Sequence, residues 1–402
     1  AGIAYSEMKK YRKAIPHFQK ALQFNSGDSY ATGLLYSAYL NAGFLHQAAW
    51  LYANDTVKPK IFTAILPEAG VSHCPSYTDL QTEYHKPDPN LNYFFEKELS
   101  GPFTYYSAYF VHEISPRWQI NHALSFLSIE KFTQVQFDFN TLTSPQHIIY
   151  NHSYTTKQYS WYINPVVYKS ENRQTSFFIN SFIIGSNPVN YKVTGAVMPY
   201  IPVEGNPDIQ PVTYSIRKDT VTSVIFEAAA GMQFRKQRTY FERSIHFSAY
   251  KSSEGVRMQA GYTATFYPWA SPVFSSSTSV FGLLGGEANM VFKQVFRLQP
   301  LHNLSAEIYG LTGNMSYFAD NNGSVVYNFS DVVRLKAGLT FQYFPLTKLG
   351  ISGGYNFSQT ETLFYWNRFR GFTNKGDVRF ERSVELHKYN NHLIYGGIIW
   401  VL

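Results

Sequence analysis

From about residue 103 to its end the chain alternates. In "RLKAGLTFQYF" (334–344), Arg334, Lys336, Thr340 and Gln342 fall on one parity, and Leu335, Ala337, Leu339, Phe341 and Tyr343 on the other. A strand with that pattern has one polar and one apolar face. In "VRMQAGYTATFYP", Val256, Met258, Ala260, Tyr262 and Phe266 oppose Arg257, Gln259, Gly261, Thr263 and Thr265. In "FTQVQFDFN", Val135, Phe137 and Phe139 oppose Gln134, Gln136, Asp138 and Asn140. Each run is about ten residues, the length a tilted strand needs to cross a bilayer. The pattern predicts strands near 103–114, 117–127, 131–141, 157–169, 174–185, 222–234, 238–250, 256–267, 274–284, 287–297, 302–312, 333–344, 347–358 and 390–401. The expected fold is therefore mainly β, an antiparallel transmembrane β-barrel of about fourteen strands, or twelve if two short runs are loops. An even count puts both barrel ends at one rim. The short connections "RKQRT", "YPWASP", "RLQPLHN" and "FPLTKLG" fall at that rim, and the long stretches 186–221 and 359–389 at the other. The turn "SPRW" (115–118) is expected on the long-loop side.

The first fifty residues follow a different period. "GIAYSEMKKYRKAIPHFQKALQFN" carries Gly2, Ala4, Tyr5, Tyr11, Ala14, Phe18 and Ala21 at helical spacing. A second unit, "YATGLLYSAYLNAGFLHQAAWLY", places Gly33, Leu35, Tyr36, Ala38, Tyr39, Gly43, Ala48 and Trp50 in similar positions. Both units resemble tetratricopeptide repeats, the first opening in mid-motif. The resemblance implies a small helical segment that packs or docks through Tyr5, Tyr11, Phe18, Tyr36, Tyr39 and Trp50. Such arrays draw stability from stacked neighbours, so a protein partner or further repeats are implied. The alternative is an ordinary helical hairpin packed on a larger domain. Between the repeats and the alternating region, residues 54–102 hold Pro59, Pro67, Pro75, Pro87 and Pro89 without a sustained period. This stretch is expected to be a linker or plug-like segment. The domain expectation is thus helical repeats at 1–53, the Pro-rich segment at 54–102, and the barrel at 103–402.

Composition supports that division. Aromatic residues make up 18% of the 402 positions and charged residues only 15%, against about 25% charged in ordinary soluble domains. Mean hydropathy is −0.24, and no apolar run is long enough for a transmembrane helix. A soluble all-β protein, the competing fold, would have to bury most of 33 Phe and 32 Tyr in one core. Cys74 is the sole cysteine, which excludes a disulfide scaffold. The net charge of +7 is dispersed rather than striped, which argues against nucleic acid as a partner.

No HExxH, CxxC pair or P-loop occurs, and the one GxSxG match, Gly350–Gly354, lies inside the alternating run 347–358 rather than at a strand-to-helix turn, so neither enzymatic activity nor a cofactor is expected. His73, Cys74, Glu83 and His85 lie together in the linker, but their spacing matches no metal motif. Charged residues at inward parity are Asp138, Glu242, His246, Arg257, Glu287, Lys293, Glu307, Arg334 and Lys336. Their mixed signs suit mutual neutralisation across a lumen wall better than catalysis or selection of one ion.

Helical repeats before a C-terminal barrel resemble the YaiO-type barrel proteins and, more loosely, the exopolysaccharide-export porins of Gram-negative bacteria. The Tyr-, Phe- and Asn-rich style resembles Bacteroidota envelope proteins, and the closing "HLIYGGIIWVL" resembles an outer-membrane insertion signal. These resemblances imply a bacterial outer-membrane location, contact with outer-membrane lipid, and repeats in the periplasm that bind protein partners of the periplasm or outer membrane. Two functions stay open on the sequence. One is a barrel that anchors a docking module in an envelope assembly. The other is a conduit for an exported polymer or a porin for small solutes. The mixed lumen charge favours the first.

Overall fold

The computed structural model describes residues 1–44, 47–48, 51, 63–83, 93–115, 117–140, 145–170, 172–197, 212–238, 240–253, 255–268, 273–285, 288–301, 303–328, 331–372 and 378–402. Eighteen strands occur among them. Fourteen close into an antiparallel barrel. In chain order these are β1 (Thr63–His73), β2 (Tyr93–Ser115), β3 (Trp118–Asn140), β4 (Pro145–Ser170), β5 (Arg173–Ser186), β8 (Ser223–Gln237), β9 (Phe241–Ser252), β10 (Gly255–Phe266), β11 (Phe274–Leu284), β12 (Asn289–Leu301), β13 (Leu304–Gly313), β16 (Val332–Tyr343), β17 (Leu349–Phe372) and β18 (Val378–Val401). The other four form two small hairpins: β6 (Val189–Val197) with β7 (Val212–Thr220), and β14 (Ala319–Asp320) with β15 (Val325–Val326). Each barrel strand pairs with its sequence neighbour in the wall, and β1 against β18 completes the ring.

The alternation predicts the wall faces well. Leu124, Ile179, Phe226, Met258, Ile308, Leu339 and Ile394 stand exposed on seven strands. The opposite parity holds Asn121, Asn164, Asn180, Gln259 and Asn356, all buried. The polar positions therefore face the lumen, and an apolar band covers the outside, as bilayer solvation of a barrel requires. Large rings fit inside because glycines face them across the strands. Tyr105 lies over Gly70, Phe178 over Gly231 and Phe281 over Gly261, and a Cβ on any of these glycines would enter the ring.

Three expectations need correction. The barrel starts at Thr63, inside the stretch expected to be a linker, and the two strands expected at 117–127 and 131–141 are one continuous β3. The missed strand and the split strand offset each other, so the count of fourteen holds with a different first strand. In addition, the "SPRW" turn joins β2 to β3 at the rim where β1 begins and β18 ends, not at the long-loop rim.

The wall is uneven. Strands β2, β3, β4, β17 and β18 run 23–26 residues, while β9 to β11 run 11–12. The excess rises beyond the long-loop rim. There Tyr93–Lys97 of β2 pairs with Phe364–Arg368 of β17, across the level at which β1 and β16 have ended. Val135 and Phe137 lie on this extension and are fully buried under Tyr191 and Ile216 of the β6–β7 hairpin. Their apolar parity is covered by protein, not lipid, which corrects the expectation for that strand.

At the chain start, α1 (Gly2–Glu7), α2 (Tyr11–Phe24) and α3 (Ser29–Asn41) pack around Ala14, Ile15, Phe18, Leu35, Ala38 and Tyr39. Asp28 caps α3 by accepting from the Ala31 amide at 3.0 Å.

Candidate functional site: an occupied lumen

The segment between β13 and β16 turns inward instead of looping outward. Gly313 begins the turn with φ +127°. Met315 and Phe318 are fully buried, packed with Phe281, Leu283, Val291, Leu311 and Tyr327. At its tip a 3-10 turn, Asn321–Gly323, has three successive positive φ values, which asparagine and glycine tolerate best. Gly323 lies against the Phe178 ring, leaving no space for a Cβ.

Hydrogen bonds tie this insert to strands all around the ring. Gln259 on β10 brackets Ala319, donating to its carbonyl at 2.9 Å and accepting from its amide at 3.0 Å. Asn180 on β5 donates to the Gly323 carbonyl at 2.8 Å, and Tyr162 on β4 donates to the Asn322 carbonyl at 3.2 Å. Lys293 on β12 reaches both carboxylate oxygens of Asp320, at 2.7 and 2.8 Å. Tyr389 on β18 donates to Asp331 at 2.7 Å, and Ser100 on β2 also donates to it. Lys336 donates to the Tyr327 hydroxyl at 3.1 Å.

Further segments pack at both rims. At the rim holding the chain ends, Arg12 of α2 is buried between two rings, 4.2 Å from the Phe44 centroid and 3.4 Å from that of Tyr267 on the wall. Beneath it, Tyr267 donates to Glu242 at 3.2 Å, and Arg235 holds the same carboxylate at 2.5 Å. Burial lowers the Arg12 pKa, opposed by Tyr267 and Glu242. Gln47 donates to Gln237 at 3.3 Å, and the Lys13 ammonium lies 5.5 Å from the Tyr240 ring. At the opposite rim, the short helix α4 (Tyr77–Thr82) lies against β2. Cys74, Tyr77, Phe95, Leu99, Phe132 and Phe364 make a buried cluster there. The Lys97 ammonium donates to the Leu80 carbonyl at 2.5 Å and the Glu83 carbonyl at 2.7 Å.

Burial, opposed by Glu83, lowers the Lys97 pKa to about 8. A base with a depressed folded pKa costs stability while charged, and that cost fades as pH rises from the folded toward the unfolded pKa. The neutral amine keeps two N–H donors, enough for both carbonyls. Amide exchange in 74–83, corrected for intrinsic rate, is therefore expected to slow from pH 7 to pH 10. Lys97→Met is expected to abolish that dependence and to weaken the cap by about 1–3 kcal/mol, since it leaves two carbonyls unpaired.

The expected site residues separate into groups. Glu242, His246, Lys293 and Glu307 line one cavity of about 320 Å³ between the wall and the insert. In it His246 bonds Ser244 at 2.9 Å and Thr263 at 3.1 Å, and Arg297 donates to Glu307 at 2.6 Å. Arg257 lies 5.3 Å from the Tyr317 ring of the insert. Arg334 donates to Glu361 at 2.5 Å beside Lys388, at the long-loop rim. Asp138 is far from these, on the β3 extension, bonded to Gln136 at 2.8 Å and to His147. Glu287 lies outside the described residues. Of the helical candidates, Phe18 and Tyr39 are core, Tyr5, Tyr11 and Tyr36 pack on that core, and Trp50 lies outside the described residues. The sequence reading missed Lys97, Asp320, Asp331 and the amide row Asn121–Asn164. It also expected a linker or plug-like segment at 54–102, whereas the described residues that turn into the lumen are 314–328 and 331.

No protein-family model and no curated protein matches the sequence. Among solved structures the chain is similar to the toluene transporter TodX of P. putida, at 7% identity and TM-score 0.47, over 88% of this chain and 92% of that one. It is similar to a Pseudomonas aeruginosa FadL homologue at 8% identity and TM-score 0.36, covering 90% and 97%. It is also similar to the outer membrane protease OmpT of Escherichia coli at 8% identity and TM-score 0.25, covering 87% and 99%.

Proposed function

We propose that the protein is a non-enzymatic outer-membrane barrel that holds a tetratricopeptide-like module at its periplasmic rim, as a docking component of an envelope assembly. The observation that carries this reading is Arg12, buried between Phe44 of the helical segment and Tyr267 of the wall. Of the two contacts, the one with Tyr267 joins the module to the barrel, and a desolvated cation–ring contact gives about 2 kcal/mol, which supports a module seated on the barrel. The occupied lumen supports a platform over an open pore, because an insert bonded to β4, β5, β10, β12 and β18 takes up space inside the ring. The exposed apolar band fits lipid, and every connection at the rim holding Thr63 and Val401 is short.

Removing residues 1–53 is expected to leave an inserted barrel that no longer co-purifies its periplasmic or outer-membrane partners. Retention of the same partners in the same amounts would assign docking to the barrel. The intact protein is expected to show little conductance in planar bilayers, whereas steady porin-like currents would favour the conduit reading. Arg12→Ala is expected to make the helical segment Gly2–Asn41 cleave faster under limited protease while the barrel stays folded.

A further inference from the structure

Between the helical segment and the tip of the insert lies a chamber of about 360 Å³, at the low end of the roughly 300–1,000 Å³ typical of small-molecule sites. Its lining is unlike the rest of the lumen. Carboxamides dominate, tyrosine rings alternate with them, and no carboxylate is present among the lining residues. Four side chains form a directed hydrogen-bond row across β3 and β4. Tyr168 donates to Gln119 at 3.2 Å, Gln119 to Asn121 at 2.6 Å, Asn121 to Asn164 at 3.2 Å, and Asn164 to the Phe177 carbonyl at 2.6 Å. Asn121 and Asn164 are buried. Each carboxamide spends one N–H and one oxygen lone pair on this row and keeps one of each. The row thus fixes three amides in place while leaving donors and acceptors side by side along the chamber wall. Tyr109 and Tyr162 stack nearby, with ring centroids 6.5 Å apart.

We propose that this chamber binds a short neutral saccharide of about disaccharide size. A sugar hydroxyl both donates and accepts, which matches a surface of paired amide donors and acceptors, and the C–H face of a pyranose packs on tyrosine rings. Charged ligands fit worse. A ligand ammonium would find no carboxylate, and burying a charge without a partner is costly. Of the two lining guanidinium groups, Arg235 is already held by Glu242 at 2.5 Å, so an anion gains little from it. The proposal does not rest on partner docking: Gly43, Phe44 and Gln47 of the helical segment help line the chamber, so its test uses the full chain and variants on β3, and loss of sugar binding there is separable from loss of partners.

The test is saturation-transfer NMR and calorimetry on the full chain in a zwitterionic, sugar-free detergent. The probes are maltose, cellobiose and, as a neutral peptide of similar size, N-acetyl-trialanine amide. At least one disaccharide is expected to bind, and Asn121→Leu is expected to weaken it tenfold or more. Gln119→Met removes two bonds of the row from a half-buried position and guards against a fold defect in the first variant; it is expected to weaken binding at least fivefold with unchanged thermal unfolding. Failure of both disaccharides at 10 mM would overturn the proposal. So would equal binding by wild type and both variants, or tighter binding of the peptide.

Discussion

Lys293→Met is expected to unseat the insert from the lumen. The Lys293 ammonium and the Asp320 carboxylate are each about one-tenth exposed, and they meet at 2.7 Å. Removing one partner of a buried pair leaves the other charge uncompensated, a loss of about 3–5 kcal/mol. The other anchors are the two-bond Gln259–Ala319 bracket, the hydrogen bonds to the Asp331 carboxylate and from the Lys336 ammonium, and neutral bonds from Asn180 and Tyr162, worth about 0.5–3 kcal/mol each, and this pair is the one salt bridge to the insert among the described residues. Asp320 would then regain solvation by leaving the wall. Two measurements follow in the variant: faster cleavage within 313–332 from the long-loop side of proteoliposomes, and flickering conductance. Lys293→Met combined with Asp320→Asn should restore most of the protection, because the asparagine oxygen still accepts from the Asn321 amide, as Asp320 does at 2.8 Å. A single variant as protected as wild type would show that the hydrophobic cluster around Phe318 holds the insert without the ion pair.

Leu339→Arg and Thr340→Arg, adjacent on β16, are expected to differ sharply. Leu339 stands 45% exposed on the outer face. An arginine at bilayer mid-depth costs roughly 2–4 kcal/mol. Thr340 faces inward and pairs in register with Glu307 on β13, so an arginine there meets a carboxylate. Refolding yield into liposomes should fall for the first variant and stay near wild type for the second. Equal yields would mean the assigned faces of β16 are wrong.

The faces of the wall were legible because a strand with lipid on one side and water on the other must alternate, and β10 and β16 do so without interruption. Strand β1 was not legible. "TAILPEAGVSH" breaks the period and carries Pro67, which reads as loop although it is accommodated between β18 and β2. The long β3 looked like two strands because Glu130 and Lys131 interrupt its apolar parity. In the structure they sit where β3 leaves the regular wall, and Lys131 donates to Ser100 at 2.7 Å. Val135 and Phe137 showed the right alternation for the wrong reason, since periodicity cannot distinguish a lipid neighbour from a packed hairpin. The insert was illegible for a related cause. Met315, Phe318 and Tyr327 are too few and too scattered to set a period, and their burial depends on glycines and aromatics contributed by distant strands. Helix existence was legible from spacing, but nothing in Arg12 itself announces that it will be buried at a rim.

The closure between β1 and β18 carries a kinetic consequence. Thirteen of the fourteen wall junctions join strands that follow one another around the ring in chain order, so they can zip sequentially. The fourteenth pairs Ala64 with Val401 and His73 with His392, the two ends of the barrel sequence. Non-local pairings of that kind form late and slowly. By that moment Asp331 must already be inside, because its Tyr389 partner belongs to the closing strand and its Ser100 partner to the strand beyond β1. Ring closure and capture of the insert are thus one event, and a chain lacking the last strand should accumulate as an open, protease-sensitive sheet whose insert has nowhere to lodge.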